Sequence, residues 1–281
     1  MSNFIQDLRI HYDAFTRSQK IIADYLAENL NDIAFCTLEE IAEKINVSTT
    51  TIIRFSRTLG YTGYTEMQKD IQSNIQNKVG LPERLSSRKF YPDNTLLSDS
   101  FQNDIHNIQH TMETQNNDDL KAVIQIVSQA ENVYILGMRS SFSISCYLAS
   151  RLSEIRENVH LIQSVGMLYP EEIVSAKKGD VCIAYLFPRY SKLSTTILSW
   201  LKNEGVKIIL FTSQNYSAVQ GYGDIILPCS ISSLTYKNSY AAPLCLSNYL
   251  ITAITQNHFD EAQRMLKKTE SILNQGFYLG L

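Results

Sequence analysis

The chain has 281 residues, 44% hydrophobic and 19% charged, with a formal net charge of −3. Those values fit a globular protein of about two domains and exclude a disordered chain or a generic nucleic-acid coat. Five scattered cysteines without a C-x-x-C pair (Cys36, Cys146, Cys182, Cys229, Cys245) argue against a disulfide framework or a zinc site. With no apolar run of membrane-spanning length and no apolar leader, the expectation is a cytoplasmic protein that contacts no membrane.

The first readable element follows Thr16-Arg17-Ser18-Gln19, a capping box, with Ile21, Ile22, Tyr25, Leu26 and Leu30 on one helical face. A second capping box joins Thr37 to Glu40 and opens a short helix whose apolar positions are Leu38, Ile41, Ala42 and Ile45. Asn46-Val47 makes a turn and Ser48 caps a further helix. Ile52, Phe55, Ser56 and Leu59 form that helix's inner stripe, and Gly60 ends it.

The opposite face presents Thr49, Thr50, Arg54 and Arg57, the hydroxyl and guanidinium groups that major-groove reading uses. Across residues 1–80 eight basic residues meet ten acidic ones, yet none of the acidic residues lies between Lys44 and Thr65. Positive potential is therefore confined to the second helix of the pair and the turn before it. The candidate DNA contacts are Ser48, Thr49, Thr50, Arg54 and Arg57, with Tyr64 and Lys69 as contacts to the backbone. A helix over about 65–77 completes an all-α domain over residues 1–77.

Residues 78–94, with Gly80, Pro82, Ser86, Ser87, Pro92, Asp93 and Asn94, read as a linker. From Thr95 a helix carries Phe101, Ile105, Ile108 and Met112 on one apolar face. Another begins near Asp118-Asp119 and turns Leu120, Val123, Ile124 and Val127 inward. Short β-branched runs then recur at 133–136, 159–162, 181–186, 206–212 and 225–227, separated by helical segments. That alternation predicts a doubly wound, five-stranded parallel sheet covered on both faces, with ligands at the carboxyl ends of its strands. Helices at about 237–257 and 259–274 close an α/β domain over residues 95–281.

Taken together, the chain resembles a bacterial transcriptional regulator of the RpiR family, a helix-turn-helix domain joined to a sugar isomerase (SIS) domain. The first half of the resemblance lies in Ile22-Ala23-Asp24-Tyr25-Leu26, Val47-Ser48, Thr51-Ile52-Ile53-Arg54-Phe55, Leu59-Gly60-Tyr61 and Gly63-Tyr64. The second lies in Tyr134 to Ser141, Gly179-Asp180-Val181 and Phe187-Pro188-Arg189-Tyr190-Ser191. It implies a homodimer or homotetramer that binds double-stranded operator DNA and senses a small anionic effector, a sugar phosphate, to control carbohydrate-metabolism genes.

The resemblance also implies a phosphate site at the loop after the first strand, Arg139-Ser140-Ser141. Ser141 matches the family's serine and Arg139 replaces a common glycine. In the loop after the third strand, Leu186 and Pro188 stand where the family has serines, Arg189 where it has glycine, and Ser191 where it has threonine. The candidate ligand residues are thus Arg139, Ser140, Ser141, Ser164, Arg189, Ser191 and Lys192; anions are held at such places by helix N-terminal N–H groups, hydroxyls and cations. His160, His258, Glu171 and Glu172 form no general acid–base pair in the sequence, so no catalytic residue, metal or cofactor is expected. Two alternatives are a SIS domain that serves only oligomerisation, and a phosphosugar isomerase.

Overall fold

The structure is a computed structural model, and it describes residues 8, 10–29, 36–68, 70–71, 81–86, 92–163 and 170–276. The chain divides into two compact units, residues 1–83 and 84–281.

In the first unit, α1 (Arg17–Glu28), α2 (Leu38–Lys44) and α3 (Thr49–Thr58) enclose a core of Ile22, Leu26, Ile41, Ile52, Phe55, Met67 and Ile71. Both capping boxes form: Thr16 Oγ accepts from the Gln19 N–H and Thr37 Oγ from the Glu40 N–H, while Gln19 and Glu40 reach back. The α2–α3 turn closes through Asn46 in the left-handed region (φ 52°), with the Val47 N–H bonded to the Ala42 carbonyl at 3.0 Å. Asparagine tolerates that conformation better than most residues. α3 ends in a Schellman arrangement. Gly60 sits at φ 92°, its N–H on the Arg57 carbonyl and the Tyr61 N–H on the Ser56 carbonyl. Ile21, assigned to the inner face of α1, is exposed; Ile22 and Leu26 carry the packing.

A short helix, α4 (Leu81–Ser86), spans the point in the chain where the first unit ends and the second begins, inside the stretch expected to be linker. α5 (Asp93–Thr114) and α6 (Asn117–Gln129) lead into the sheet. The strands are β1 (Val133–Gly137), β2 (Val159–Ile162), β3 (Val181–Tyr185), β4 (Lys207–Ser213) and β5 (Ile225–Cys229), all parallel, in the order β2-β1-β3-β4-β5. α7 (Phe142–Ser153) packs on one face with α6 and the closing helices α9 (Ala241–Asn257) and α10 (Phe259–Leu273). α8 (Lys192–Asn203) covers the other. Both faces of β1 and β3 are buried along their whole length, which is why these strands read as unbroken apolar runs.

Three expectations are corrected. Glu171 and Glu172, which follow the second strand and read in the sequence as a solvated helix start, open no helix over 170–175: the Ile173 N–H bonds the Pro170 carbonyl and the Ala176 N–H the Ile173 carbonyl, an i to i−3 pattern of successive turns. The last helix pair opens at Ala241, leaving 237–240 as loop. On α5 the apolar face is the uncovered one: Phe101 is 64% and Met112 70% exposed, while Asn107 and Thr111 are buried. Polar bonds hold that inner face, with Asn103 and Asn107 Nδ2 donating to the Ser232 carbonyl (2.9 and 2.7 Å) and Gln115 Nε2 to the Pro228 carbonyl (2.8 Å).

Candidate functional site

On α3 the predicted reading face stands out from the core. Ser48 is exposed at the N-cap and accepts from the Thr51 N–H at 3.2 Å; Thr50, Arg54 and Arg57 are exposed, and Thr49 is half-buried. Arg57 Nε donates to the Thr62 carbonyl at 3.2 Å, which fixes the guanidinium beside the following turn. That turn is itself tied by Glu66, whose carboxylate accepts from the Thr62 N–H (2.6 Å) and hydroxyl (2.7 Å) and is held below its usual pKa by those bonds.

Tyr64 does not belong with them. It is a core residue, its hydroxyl donating to the Cys36 carbonyl at 3.3 Å, and burial pushes the phenol up to about 12. A ring needed for packing replaces the expected backbone contact. Lys69 lies outside the described residues.

In the second unit the strand order makes its own prediction. From β1 the chain moves outward to β2, and from β3 it moves the other way to β4, so the switch point lies between β1 and β3. Crevices at such points, beyond the carboxyl ends of the strands, are where doubly wound sheets bind ligands. Gly137 pairs with Tyr185, so the loops after β1 and β3 leave the sheet side by side. The first is a 3₁₀ turn, Arg139–Ser141, that runs directly into α7. It folds tightly over the strand end: a Cβ on Gly137 would stand 2.6 Å from the Ser141 carbonyl oxygen and 2.7 Å from Ser145 Oγ. The second loop runs from Leu186 to Ser191, which caps α8 by accepting from the Ser194 N–H at 3.4 Å.

Arg139 (φ 57°) and Arg189 (φ 69°) both occupy the left-handed region. Arg139 and Lys192 are exposed, and Arg189 is half-buried. Leu186 is buried in the core on the α8 face of the sheet and contributes no hydroxyl to the crevice. Tyr190 is packed against the same core, its phenol raised in pKa by burial and partly offset by hydrogen bonds to Ser213 and Thr212. Ser164 lies outside the described residues.

One residue of this site had no signal in the sequence. Tyr240 precedes α9, where the apolar pattern suggested helix. Its hydroxyl lies 3.0 Å from Ser140 Oγ and 3.4 Å from Ser141 Oγ, and its ring lies 5.3 Å from Phe187, so it touches both loops. The histidines sit elsewhere: His160 stacks on Tyr134 and its Nε2 bonds Asn132, and His258 lies 3.8 Å from Glu261 between α9 and α10.

Known proteins match this architecture in both halves. The family description "Helix-turn-helix domain, rpiR family" covers residues 2–78, and "SIS domain" covers residues 126–255. The chain belongs to the RpiR family. An HTH-type transcriptional regulator of Haemophilus influenzae is 23% identical over 80% of this chain and 79% of its own length. One from Caldanaerobacter subterraneus is 22% identical over 98% of each. Among solved structures, the Vibrio vulnificus NanR protein complexed with ManNAc-6P superposes with a TM-score of 0.60 at 18% identity, over 99% of this chain and 100% of that one. The sugar isomerase domain of an RpiR transcription factor from Sphaerobacter thermophilus gives 0.60 at 19% identity, over 63% and 99%. At these identities the superpositions establish a shared fold. As an RpiR-family protein the chain is a transcriptional regulator with a helix-turn-helix domain and a SIS domain. Among the described residues no helix is long and apolar enough to cross a membrane.

Proposed function

We propose that the helix-turn-helix unit reads operator DNA with Ser48, Thr49, Thr50, Arg54 and Arg57, and that the SIS unit binds a small anionic metabolite, a sugar phosphate, that controls it. The observation that carries the second half is the pairing of two basic, hydroxyl-bearing loops at the β1/β3 switch point. Arg139, Ser140 and Ser141 come from one, and Arg189, Ser191 and Lys192 from the other. A sugar phosphate offers a dianion to the cations and serine hydroxyls, and sugar hydroxyls to the rim. NanR, which shares the fold, is complexed with such a compound. The protein acts by binding, without turnover, on genes of carbohydrate metabolism. It works as a homodimer or homotetramer, in keeping with paired operator half-sites.

Thermal unfolding of the full chain against phosphorylated sugars and amino sugars, ManNAc-6P among them, tests the ligand. Inorganic phosphate is the control. A compound at one hundred times its Kd adds about 2.7 kcal/mol. A selective shift, lost in Arg139→Ala or Ser141→Ala, supports the reading. Equal, marginal shifts for every compound favour the second reading, a SIS domain kept for assembly. Buried Leu186 and the engagement of both serines by Tyr240 speak for that alternative.

A further inference from the structure

We propose that Tyr240 is a built-in competitor for the anion site, and that its displacement by an incoming phosphate is passed through Ser239 and Asp104 to helix α5. The inference rests on the anion-binding reading above and specifies how occupancy of that site is felt elsewhere in its unit.

The competition follows from the hydroxyl inventory. Tyr240 lies within hydrogen-bond reach of both Ser140 and Ser141, the two hydroxyls of the first loop. The phenol has a single proton, so in bonding both serines it donates to one and accepts from the other; a phosphate that draws on both serine protons must break at least one of these bonds and so competes with the phenol. The ring against Phe187 ties the same residue to the second loop, so a shift of Tyr240 registers both sides of the crevice.

The route onward is short. Ser239, the neighbour of Tyr240 in the chain, donates through Oγ to Asp104 Oδ1 of α5 at 2.6 Å. The same Oγ accepts from the Ala241 N–H at 3.3 Å, the first residue of α9. One hydroxyl therefore joins α5, the start of α9 and the backbone of Tyr240. The rest of the seam between α5 and the 228–239 segment is polar too: Asn103 and Asn107 donate to Ser232, Thr111 Oγ accepts from the Ser230 N–H at 2.8 Å, and His110 Nδ1 lies 2.9 Å from Ser230 Oγ. Such bonds can be exchanged for water at little net cost, unlike an interlocked apolar contact, so the seam suits a helix that must shift in register with a ligand. α5 is also the long helix through which the chain from the N-terminal unit enters the sheet domain.

Hydrogen exchange of the full chain, with inorganic phosphate and ManNAc-6P as probes, tests this. In the wild type a bound probe should alter exchange both at 138–145 and at 93–114. Tyr240→Phe keeps the ring on Phe187 and removes the competing hydroxyl, so the probe should bind about threefold to tenfold more tightly. Ser239→Ala, and independently Asp104→Ala, should keep probe binding and its effect at 138–145 while abolishing the response at 93–114; because coupling is reciprocal, the Kd should stay equal or tighten. Weaker binding by Tyr240→Phe would make Tyr240 a ligand contact and overturn the competition. A persistent α5 response in both Ser239→Ala and Asp104→Ala would overturn the route. If neither probe alters 138–145 in any variant, the anion site itself fails and the inference falls with it; protection at 138–145 without a wild-type response at 93–114 overturns the coupling alone.

Discussion

Arg139 and Arg189, in the loops that follow neighbouring parallel strands, share the same left-handed conformation, φ 57° and φ 69°, a region that favours glycine. Two arginines held where glycine is easier mark backbone strain of about 1 kcal/mol or more each. Sites that keep such strain commonly use the side chain. Arg139→Gly and Arg189→Gly are therefore expected to leave thermal stability unchanged or raised by up to about 1 kcal/mol. The same changes should weaken phosphosugar binding by roughly 1.5 kcal/mol or more. Melting curves with and without ligand separate the two effects; a loss of stability with no loss of binding would assign both arginines to the fold alone.

Gly137 tests the loop from beneath. A Cβ there meets the Ser141 carbonyl at 2.6 Å and Ser145 Oγ at 2.7 Å, and the carbonyl belongs to backbone that cannot swing aside. Gly137→Ala should cost roughly 1–3 kcal/mol in denaturant unfolding and abolish anion binding by lifting the 139–141 turn off the strand.

Much of this was legible beforehand, for identifiable reasons. Both capping boxes, the Ser48 cap and the Gly60 stop are local chemistry, and each forms where its residues stand. Strands β1, β3 and β4 carry the apolar density that burial on both faces demands. Three features were not legible. Periodicity located the apolar stripe of α5 but could not say that its opposite, polar face is the one packed, because the covering partner of a stripe is not encoded in its spacing. Tyr240 meets Ser140 across 100 residues of sequence, and a lone tyrosine at the edge of an apolar run looks like any core aromatic. Tyr64 was misplaced for the converse reason: a tyrosine beside a DNA-reading helix offers a hydroxyl on paper, and only packing reveals that it is internal.

That distinction separates Tyr64 from the arginines experimentally. Arg54→Ala or Arg57→Ala should weaken operator binding by roughly 1–3 kcal/mol and relax base preference where a guanine is read, or reduce the salt slope by about one where a phosphate is contacted. Tyr64→Phe should leave both quantities unaltered while lowering the stability of the N-terminal unit by about 1 kcal/mol. Fluorescence anisotropy on an operator fragment at several salt concentrations distinguishes the three outcomes.

The same tyrosine sets an alkaline limit. Desolvation by burial, with smaller contributions from Cys36, Glu39 and Glu40 nearby, raises its phenol to about 12, against about 10 in an unfolded chain. Because the folded form holds the proton more tightly, the stabilisation is complete below pH 10 and is lost as pH rises through about 12. Urea unfolding of the wild type should weaken across this window, and Tyr64→Phe should lose that part of the pH dependence. A tyrosinate difference titration between the two proteins should isolate one phenol that ionises well above the ordinary value of about 10.

Assembly is tested on α5. Its outer face carries Leu97, Phe101 and Met112, exposed by 73%, 64% and 70%, while its inner face is fastened by asparagine, glutamine and threonine. A helix that buries its polar side and offers its apolar side has the pattern of a subunit interface, where a second copy supplies the missing cover. Phe101→Asp and Met112→Asp place charge on that stripe without touching the polar seam. Light scattering after size exclusion should show a smaller species for each variant, with the melting of the sheet domain little changed. Because paired half-sites need paired reading heads, operator affinity should fall along with the loss of assembly, even though neither residue lies in the DNA-reading unit. An unchanged mass for both variants would move the interface to another surface of the SIS domain, with the exposed Phe259 and Leu266 of α10 as the next positions to charge.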